Sequence, residues 1–279
     1  MNEMSSRGRL AVLGLIAAMF LLGAGLAGCS SVPGTGHRGL NLVSDAELRR
    51  LSAEAFDELK RVEAPSLDKD QNEMLQRVGR RIADEVFWDL PGAQWEFVVF
   101  KSPNQANAFA MAGGKVGVYS GIFEVAETDD ELAVVVAHEI SHVVAKHTNQ
   151  KLSEQMLRQV GGVALATTTG GGSLAYQGVM LAYGYGSGFV GLGFDRNKER
   201  EADRMGLMYM AKAGYDPRAA ITVWQRMGEL RTGGISPPPS WMSTHPSNSD
   251  RMSRFREAMP AALEFYEKAR ASGLYSEHE

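Results

Sequence analysis

Five consecutive residues constrain this chain more than any others: His138, Glu139, Ile140, Ser141 and His142, an H-E-x-x-H set inside an apolar, strongly helical run. On a helix, positions four apart lie on one face, one turn above each other. His138 and His142 can therefore grip one metal ion through two imidazole nitrogens. Glu139 starts beside that face, where a carboxylate can take a proton from a water held at the metal. The competing reading, two helix histidines satisfied by their neighbours, must be weighed against the rest of the chain.

Catalytic zinc takes three protein ligands and leaves one position open. Cys29 is the only cysteine, so thiolate sites are excluded and the third ligand must be a histidine or a carboxylate. Asn197 to Asp203 (NKEREAD) offers acids at 199, 201 and 203 on one predicted helix. Glu199 and Asp203 share a face at i, i+4, whereas Glu201 points elsewhere. One carboxylate can bind the ion while the other, a turn away, accepts the N–H of a ligand histidine and sets its tautomer. Taken alone, the stretch also fits a solvated helix face laced with charge pairs. His147, five residues past His142, falls about 140° around a continuous helix and reads as structural.

The N-terminus has the parts of an export signal: Arg7 and Arg9, an uncharged apolar run from Leu10 to Leu26, then Leu26-Ala27-Gly28-Cys29. The small-residue site ending in cysteine matches the bacterial lipobox, in which the cysteine is acylated and becomes the first residue. An uncleaved anchor with an ordinary thiol at Cys29 is the alternative. The expected organisation is a signal peptide over 1–28, a lipid-anchored tether over 29–43 and one metallopeptidase domain over 44–279. Ser30 after the cysteine, by resemblance to lipoproteins, favours the outer membrane, with the domain facing the periplasm. The chain carries a net charge of −4, one unit more negative once the signal is removed. With no long basic block, it has no electrostatic footprint for nucleic acid.

Ser44-Asp45-Ala46-Glu47 predicts a capped helix with Leu48, Leu51, Ala55, Leu59 and Val62 on one face. Met74, Val78, Ile82 and Val86 predict a second. Trp95 to Phe100 predicts a strand, and the segments flanking Gly113-Gly114 predict a hairpin. Asp129-Asp130-Glu131 places negative charge where the zinc helix should begin, and that helix should run to about His147. Residues 159–194 hold eleven glycines and no charge; they predict short apolar helices and a glycine-hinged loop over the metal, with a bilayer-dipping segment as the alternative. Helices are expected again from Arg196 to Ala213, opening at Asp216-Pro217 with Asp216 as the cap and Pro217 in the first turn, and from Ser247 to Ala258. The balance is α+β, helix-rich with a small sheet of three or four strands.

Together, H138-E-I-S-H142 and E199-R-E-A-D203 resemble the zinc metallopeptidases typified by the HtpX heat-shock protease and the CaaX prenyl proteases. The resemblance spans roughly residues 44–258. Asn107-Ala108-Phe109-Ala110 before Gly113-Gly114, Asp130-Glu131-Leu132-Ala133, and Thr244-His245-Pro246 leading to Arg251 fit it too. In size and anchoring the chain is most similar to the small outer-membrane lipoprotein members of that family. The resemblance implies a zincin-like domain with a mixed sheet beside the H-E-x-x-H helix, holding one Zn2+ per chain. It implies His138, His142 and Glu199 as ligands, Glu139 as general base, and Asp203 as the group orienting a ligand histidine. It aligns His245 with a histidine that folds onto the metal in some relatives, and Arg251 with the arginine that follows; either is a second candidate to stabilise the oxyanion. Asn107, Ala108, Phe109 and Ala110 would form the strand edge on which an extended substrate pairs. The expected function is endopeptidase action on unfolded or misassembled envelope proteins. Expected partners are those substrates, the outer-membrane bilayer through acylated Cys29, and the outer-membrane assembly machinery. A zinc-containing chaperone or assembly factor with latent protease activity is the alternative, and Glu139 argues against it, since a pure binding module needs no general base.

Overall fold

Strands β3 (Glu96–Phe100), β4 (Ala108–Met111) and β5 (Lys115–Tyr119) carry apolar residues on both faces, because helices cover the sheet from both sides. In this computed structural model, which describes residues 29–32, 35–162, 193–232, 241, 245 and 250–273, the strand order is β3-β5-β4. β3 runs parallel to β5, and β4 antiparallel to it with Ala108 opposite Val118 and Met111 opposite Lys115. Gly113 and Gly114 turn the β4–β5 hairpin with φ of 86° and 90°, a conformation that a side chain would strain. The expected small mixed sheet is present.

Alternate residues sort onto the two faces, as strand pleating requires. Phe97, Val99, Ala108, Ala110, Val116 and Val118 join a core shared with α2 (Lys69–Glu85) and α3 (Asp129–Val144). Phe100, Phe109, Met111 and Tyr119 join a second core with Leu48, Leu51, Phe56 and Leu59 of α1 (Asp45–Val62). Phe56, Phe100 and Phe109 meet there with ring centroids 6.1–6.2 Å apart. Ser44 caps α1 by accepting from Glu47 N–H, as its sequence predicts. Val62, expected on the buried face, is 60% exposed because α1 ends there and leaves the core.

Three further boundaries differ from expectation. α3 stops at Val144, and Lys146 takes a left-handed φ of 56° before α4 (His147–Gly162) begins. After α5 (Arg196–Lys212), α6 (Ala219–Thr232) starts beyond the turn made by Asp216-Pro217. α7 starts at Arg251 and continues through Pro260, an exposed interior position, to Ala271. The tether is also partly ordered, since β1 (Cys29–Ser31) pairs antiparallel with β2 (Arg38–Leu40). The signal segment, the bulk of the glycine-rich stretch (163–192) and the glycine–proline loop before residue 241 lie outside the described residues. Among the described residues, no helix is long and apolar enough to cross a membrane.

Candidate metal centre

The H-E-x-x-H pattern sits on α3, the most deeply buried helix. Its start is set by a reciprocal capping box: Thr128 accepts from Glu131 N–H, while the Glu131 carboxylate accepts from Thr128 N–H and Glu127 N–H. From Glu131 to His142 every residue is buried. A helix covered all round cannot slide or rotate without opening voids, so its histidines are held rigidly.

Opposite lies α5, begun where the Asp195 side chain accepts from Asn197 and Lys198 N–H. α5 approaches α3 backbone to backbone at Gly206. A Cβ there would sit 3.0 Å from His138 N and 3.1 Å from the Ala137 carbonyl carbon. That close approach brings Glu199 and Asp203 up to the two histidines.

Four donors converge: His138, His142, Glu199 and His245 each offer a ligand atom, all within 4.8 Å of one another and all buried. His138 Nε2 lies 3.1 Å from His142 Nε2 and 3.6 Å from Glu199 Oε2. His142 Nε2 lies 3.5 Å from Glu199 Oε1. Zinc ligands at about 2.0–2.1 Å in a tetrahedron stand about 3.3 Å apart, so this spacing and this imidazole–carboxylate set fit the ion. Burial, then the neighbouring histidines, hold the His142 imidazole well below its usual pKa, which keeps the ring unprotonated as a ligand must be. Burial opposes ionisation of Glu199, yet His245, His138 and Arg251 outweigh it and hold its carboxyl at about 2.

The outer contacts assign tasks to the remaining residues. Asp203 Oδ1 lies 3.1 Å from His138 Nδ1, beside the ring atom away from the donor cluster, although not aligned for a hydrogen bond. This is the orienting position expected for it. Arg251, expected near a developing oxyanion, is placed differently. It is 2% exposed, donates from Nε to Asp203 Oδ2 (2.6 Å) and from Nη2 to Glu199 Oε2 (2.7 Å), and stacks 3.8 Å over the Trp224 ring. It ties the two α5 carboxylates together, with each of its nitrogens already facing an acceptor, Nη1 facing the His245 carbonyl at 3.4 Å.

His245 reaches the centre, as the resemblance implied. Its Nδ1 is 2.9 Å from Glu199 Oε1 and 3.1 Å from His138 Nε2, and its Nε2 is 3.3 Å from Glu139 Oε1. Burial disfavours its protonation, but Glu139 and Glu199 more than offset this and raise its pKa. One turn earlier, Trp241 donates from Nε1 to Glu139 Oε1 at 2.6 Å. Sequence reasoning missed Trp241; only its i, i+4 spacing from His245 hints that the two act as a unit, as the His245 N–H to Trp241 carbonyl bond of 2.8 Å now indicates.

His147, read as structural, is not among the four converging donors. The helical angle that set it aside fails because Lys146 breaks the helix, and the His147 ring turns back to place Nδ1 2.8 Å from His142 Nδ1. Its Nε2 lies 3.1 Å from Glu201 Oε2, so Glu201 faces away from the donor cluster, as its helical phase predicts. Phe194 stacks on the His142 ring at 4.1 Å.

β4 is the sheet edge, as expected for the strand Asn107 to Ala110, but it is not open. The bond from Tyr119 N–H to the Asn107 carbonyl (2.9 Å) sets the ladder phase, so Ala108 and Ala110 turn their peptide groups outward, where the Ala108 N–H donates to Asn107 Oδ1 at 3.0 Å. Both are buried, at 3% and 5% exposure. Trp241 N–H donates to the Ala106 carbonyl at 2.9 Å, so the segment that bears His245 is bound at the approach to this edge. Asn107 is buried, and its Nδ2 has no partner among the described residues.

Comparison with known proteins agrees with this geometry. The sequence pattern of peptidase family M48 matches residues 69–259. The mitochondrial metalloendopeptidase OMA1 of Saccharomyces cerevisiae is 35% identical over 190 residues, covering 66% of this chain and 53% of that protein. A putative beta-barrel assembly-enhancing protease of Vibrio cholerae is 33% identical over 196 residues (67% of this chain, 38% of that protein). The beta-barrel assembly-enhancing protease of Escherichia coli is 30% identical over 189 residues (62% and 38%). The chain thus spans about half or less of the length of these relatives. With the pattern covering most of its residues and both halves of the metal-binding signature, the chain belongs to peptidase family M48.

Proposed function

We propose that this chain is a zinc-dependent endopeptidase that hydrolyses peptide bonds in unfolded or misassembled envelope proteins, held at the outer membrane and facing the periplasm through an acylated Cys29. The observation that carries the reading is the convergence of His138, His142 and Glu199 in a buried cluster with Glu139 beside it. A zinc ion held by those three residues, one per chain, would polarise the scissile carbonyl and acidify the attacking water. Glu139 takes the proton from that water and returns it to the leaving amine. Asp203 keeps the His138 ring in register, and Arg251 bridges Asp203 and Glu199 and fixes their positions. A substrate strand would pair with the Ala108 carbonyl and the outward peptide groups of Ala110, along the stretch Asn107 to Ala110, with Phe109 fixing the register from the opposite face, Asn107 Oδ1 holding the Ala108 N–H and Asn107 Nδ2 donating to a substrate carbonyl. Recognition through backbone bonds selects extended, unfolded segments over one tight sequence.

The name shared by the bacterial relatives supports an envelope location and a link to the outer-membrane assembly machinery, and the lipobox ending in Cys29 supports the anchor. The OMA1 relatives work in mitochondria by name, so the shared module by itself does not select the compartment. His245 and Trp241 favour a latent resting form: they occupy the space beside Glu139 and cover the approach to β4. That closed state also gives weight to the second reading, a zinc-containing assembly factor whose proteolysis is rarely expressed. The test is Glu139→Gln on the full chain. It should retain fold and zinc and lose nearly all hydrolysis of an unfolded substrate such as casein; full zinc with undiminished hydrolysis would overturn the role of Glu139.

A further inference from the structure

The cluster that the mechanism above leaves unused is a second line of polar side chains running outward from His142. His142 Nδ1 meets His147 Nδ1 at 2.8 Å, and His147 Nε2 meets Glu201 Oε2 at 3.1 Å. Glu201 Oε1 in turn accepts from the Thr35 hydroxyl, and His37 Nδ1 lies 3.4 Å from Glu201 Oε2. His147 is fully buried, whereas His37 is 52% exposed in its side chain. The line therefore starts at the donor cluster and ends at the protein surface, on the turn between β1 and β2.

We propose that His147 and Glu201 are positioning residues for His142, and that the N-terminal β1–β2 hairpin holds Glu201 in place through Thr35 and His37. The proposal rests on the reading of His142 as a metal ligand. Its Nε2 faces His138 and Glu199 and must be free of a proton to bind a cation. The ring proton then sits on Nδ1 and is donated to His147 Nδ1. That nitrogen now accepts, so the His147 proton sits on Nε2 and is donated to Glu201. Every tautomer in the line follows from one requirement, and the carboxylate at its end supplies the charge that completes it. A carboxylate acting through the far nitrogen of a ligand histidine fixes ring orientation and raises ligand basicity, and losing it costs about 10–100-fold in metal affinity. Here the carboxylate acts through an intervening imidazole, and its own position depends on a segment more than 160 residues away in sequence. An N-terminal hairpin that docks or undocks would therefore reach the metal centre without touching a ligand.

The test measures Zn2+ affinity of the full chain by competition with a chelating dye, and records the visible spectrum of the Co2+-loaded protein. Glu201→Gln and His147→Phe should each weaken Zn2+ binding about ten-fold or more and alter the Co2+ spectrum, while metal-free unfolding stays within that of the parent. Glu201→Asp should recover part of the loss, since it restores the charge at slightly shorter reach. The pair Thr35→Val with His37→Ala should weaken binding in the same direction by a smaller factor. Parental affinity and an unchanged Co2+ spectrum in Glu201→Gln would overturn the proposal, as would a loss seen only together with reduced metal-free stability. Parental affinity in the Thr35/His37 pair alone would remove the hairpin from it. Glu199→Ala separates the two readings: if it too binds Zn2+ like the parent, the ligand set itself is wrong, whereas its failure beside intact Glu201 and His147 variants refutes only this line.

Discussion

Replacing Gly206 by alanine tests whether the metal centre depends on backbone contact between α3 and α5. The new Cβ would lie 3.0 Å from His138 N, 3.1 Å from the Ala137 carbonyl carbon and 3.1 Å from His138 Cα. Comfortable carbon contacts are about 3.5–4.0 Å, so α5 must retreat by about 0.5 Å. No flexible side chain can absorb the clash, because all three neighbours are backbone. Overpacking of this kind costs about 1–3 kcal/mol. Alanine in a helix interior regains about 1 kcal/mol over glycine, leaving a net loss of about 0–2 kcal/mol. Gly228 in α6 is the matched control, since a Cβ there meets nothing within 4 Å among the described residues; Gly228→Ala should stabilise by about 1 kcal/mol. Urea unfolding of both variants, metal-free and at equal m, should therefore separate them by about 1–3 kcal/mol. Glu199 and Asp203 ride on α5 and should move away from the histidines, so Gly206→Ala should also bind zinc more weakly than the parent, and Gly228→Ala should not. If Gly206→Ala gains as much stability as Gly228→Ala and keeps parental zinc affinity, close helix contact does not set the site.

His245→Ala should raise hydrolysis of unfolded substrate if the histidine holds the enzyme latent, and lower it by about 10²–10³ if it stabilises the oxyanion; an initial-rate assay reads the sign, and an unchanged rate with unchanged zinc affinity excludes both roles. Arg251→Met leaves Glu199 and Asp203 buried without their cation, so the metal-free protein should lose about 3–5 kcal/mol by urea unfolding, and a loss below 1 kcal/mol would show that the carboxylates do not need it. Cys29→Ser should leave the chain unlipidated; mass spectrometry of the parental N-terminus showing an unmodified Cys29 thiol would refute the anchor.

Much of the site was legible because it lies within single helices. His138, Glu139 and His142 are set by i, i+4 spacing, and Glu199 with Asp203 by the same spacing on α5. The capping residue Ser44, the acids Asp129 to Glu131 at the start of α3, the strand Glu96–Phe100 and the Gly113-Gly114 turn were equally local. The covering of the β4 edge was not legible, since it depends on a residue more than 130 positions downstream.

The sequence alone placed His138 with His142, and Glu199 with Asp203, on shared helix faces, because a helix of known period presents its side chains at known angles whatever surrounds it. Tertiary structure decided how they are supported. His147 returns to His142 only because Lys146 adopts φ of 56°, a conformation with no strong local signal in Ala145-Lys146-His147. Arg251 binds the α5 carboxylates rather than facing substrate, and Trp241 holds Glu139, through contacts spanning about 50 to 100 residues of chain. Such contacts arise when separate elements pack into one core, where the low dielectric compels every buried charge and N–H to find a partner. Local spacing specifies that a partner is needed, and only the packed fold determines which residue is within reach to supply it.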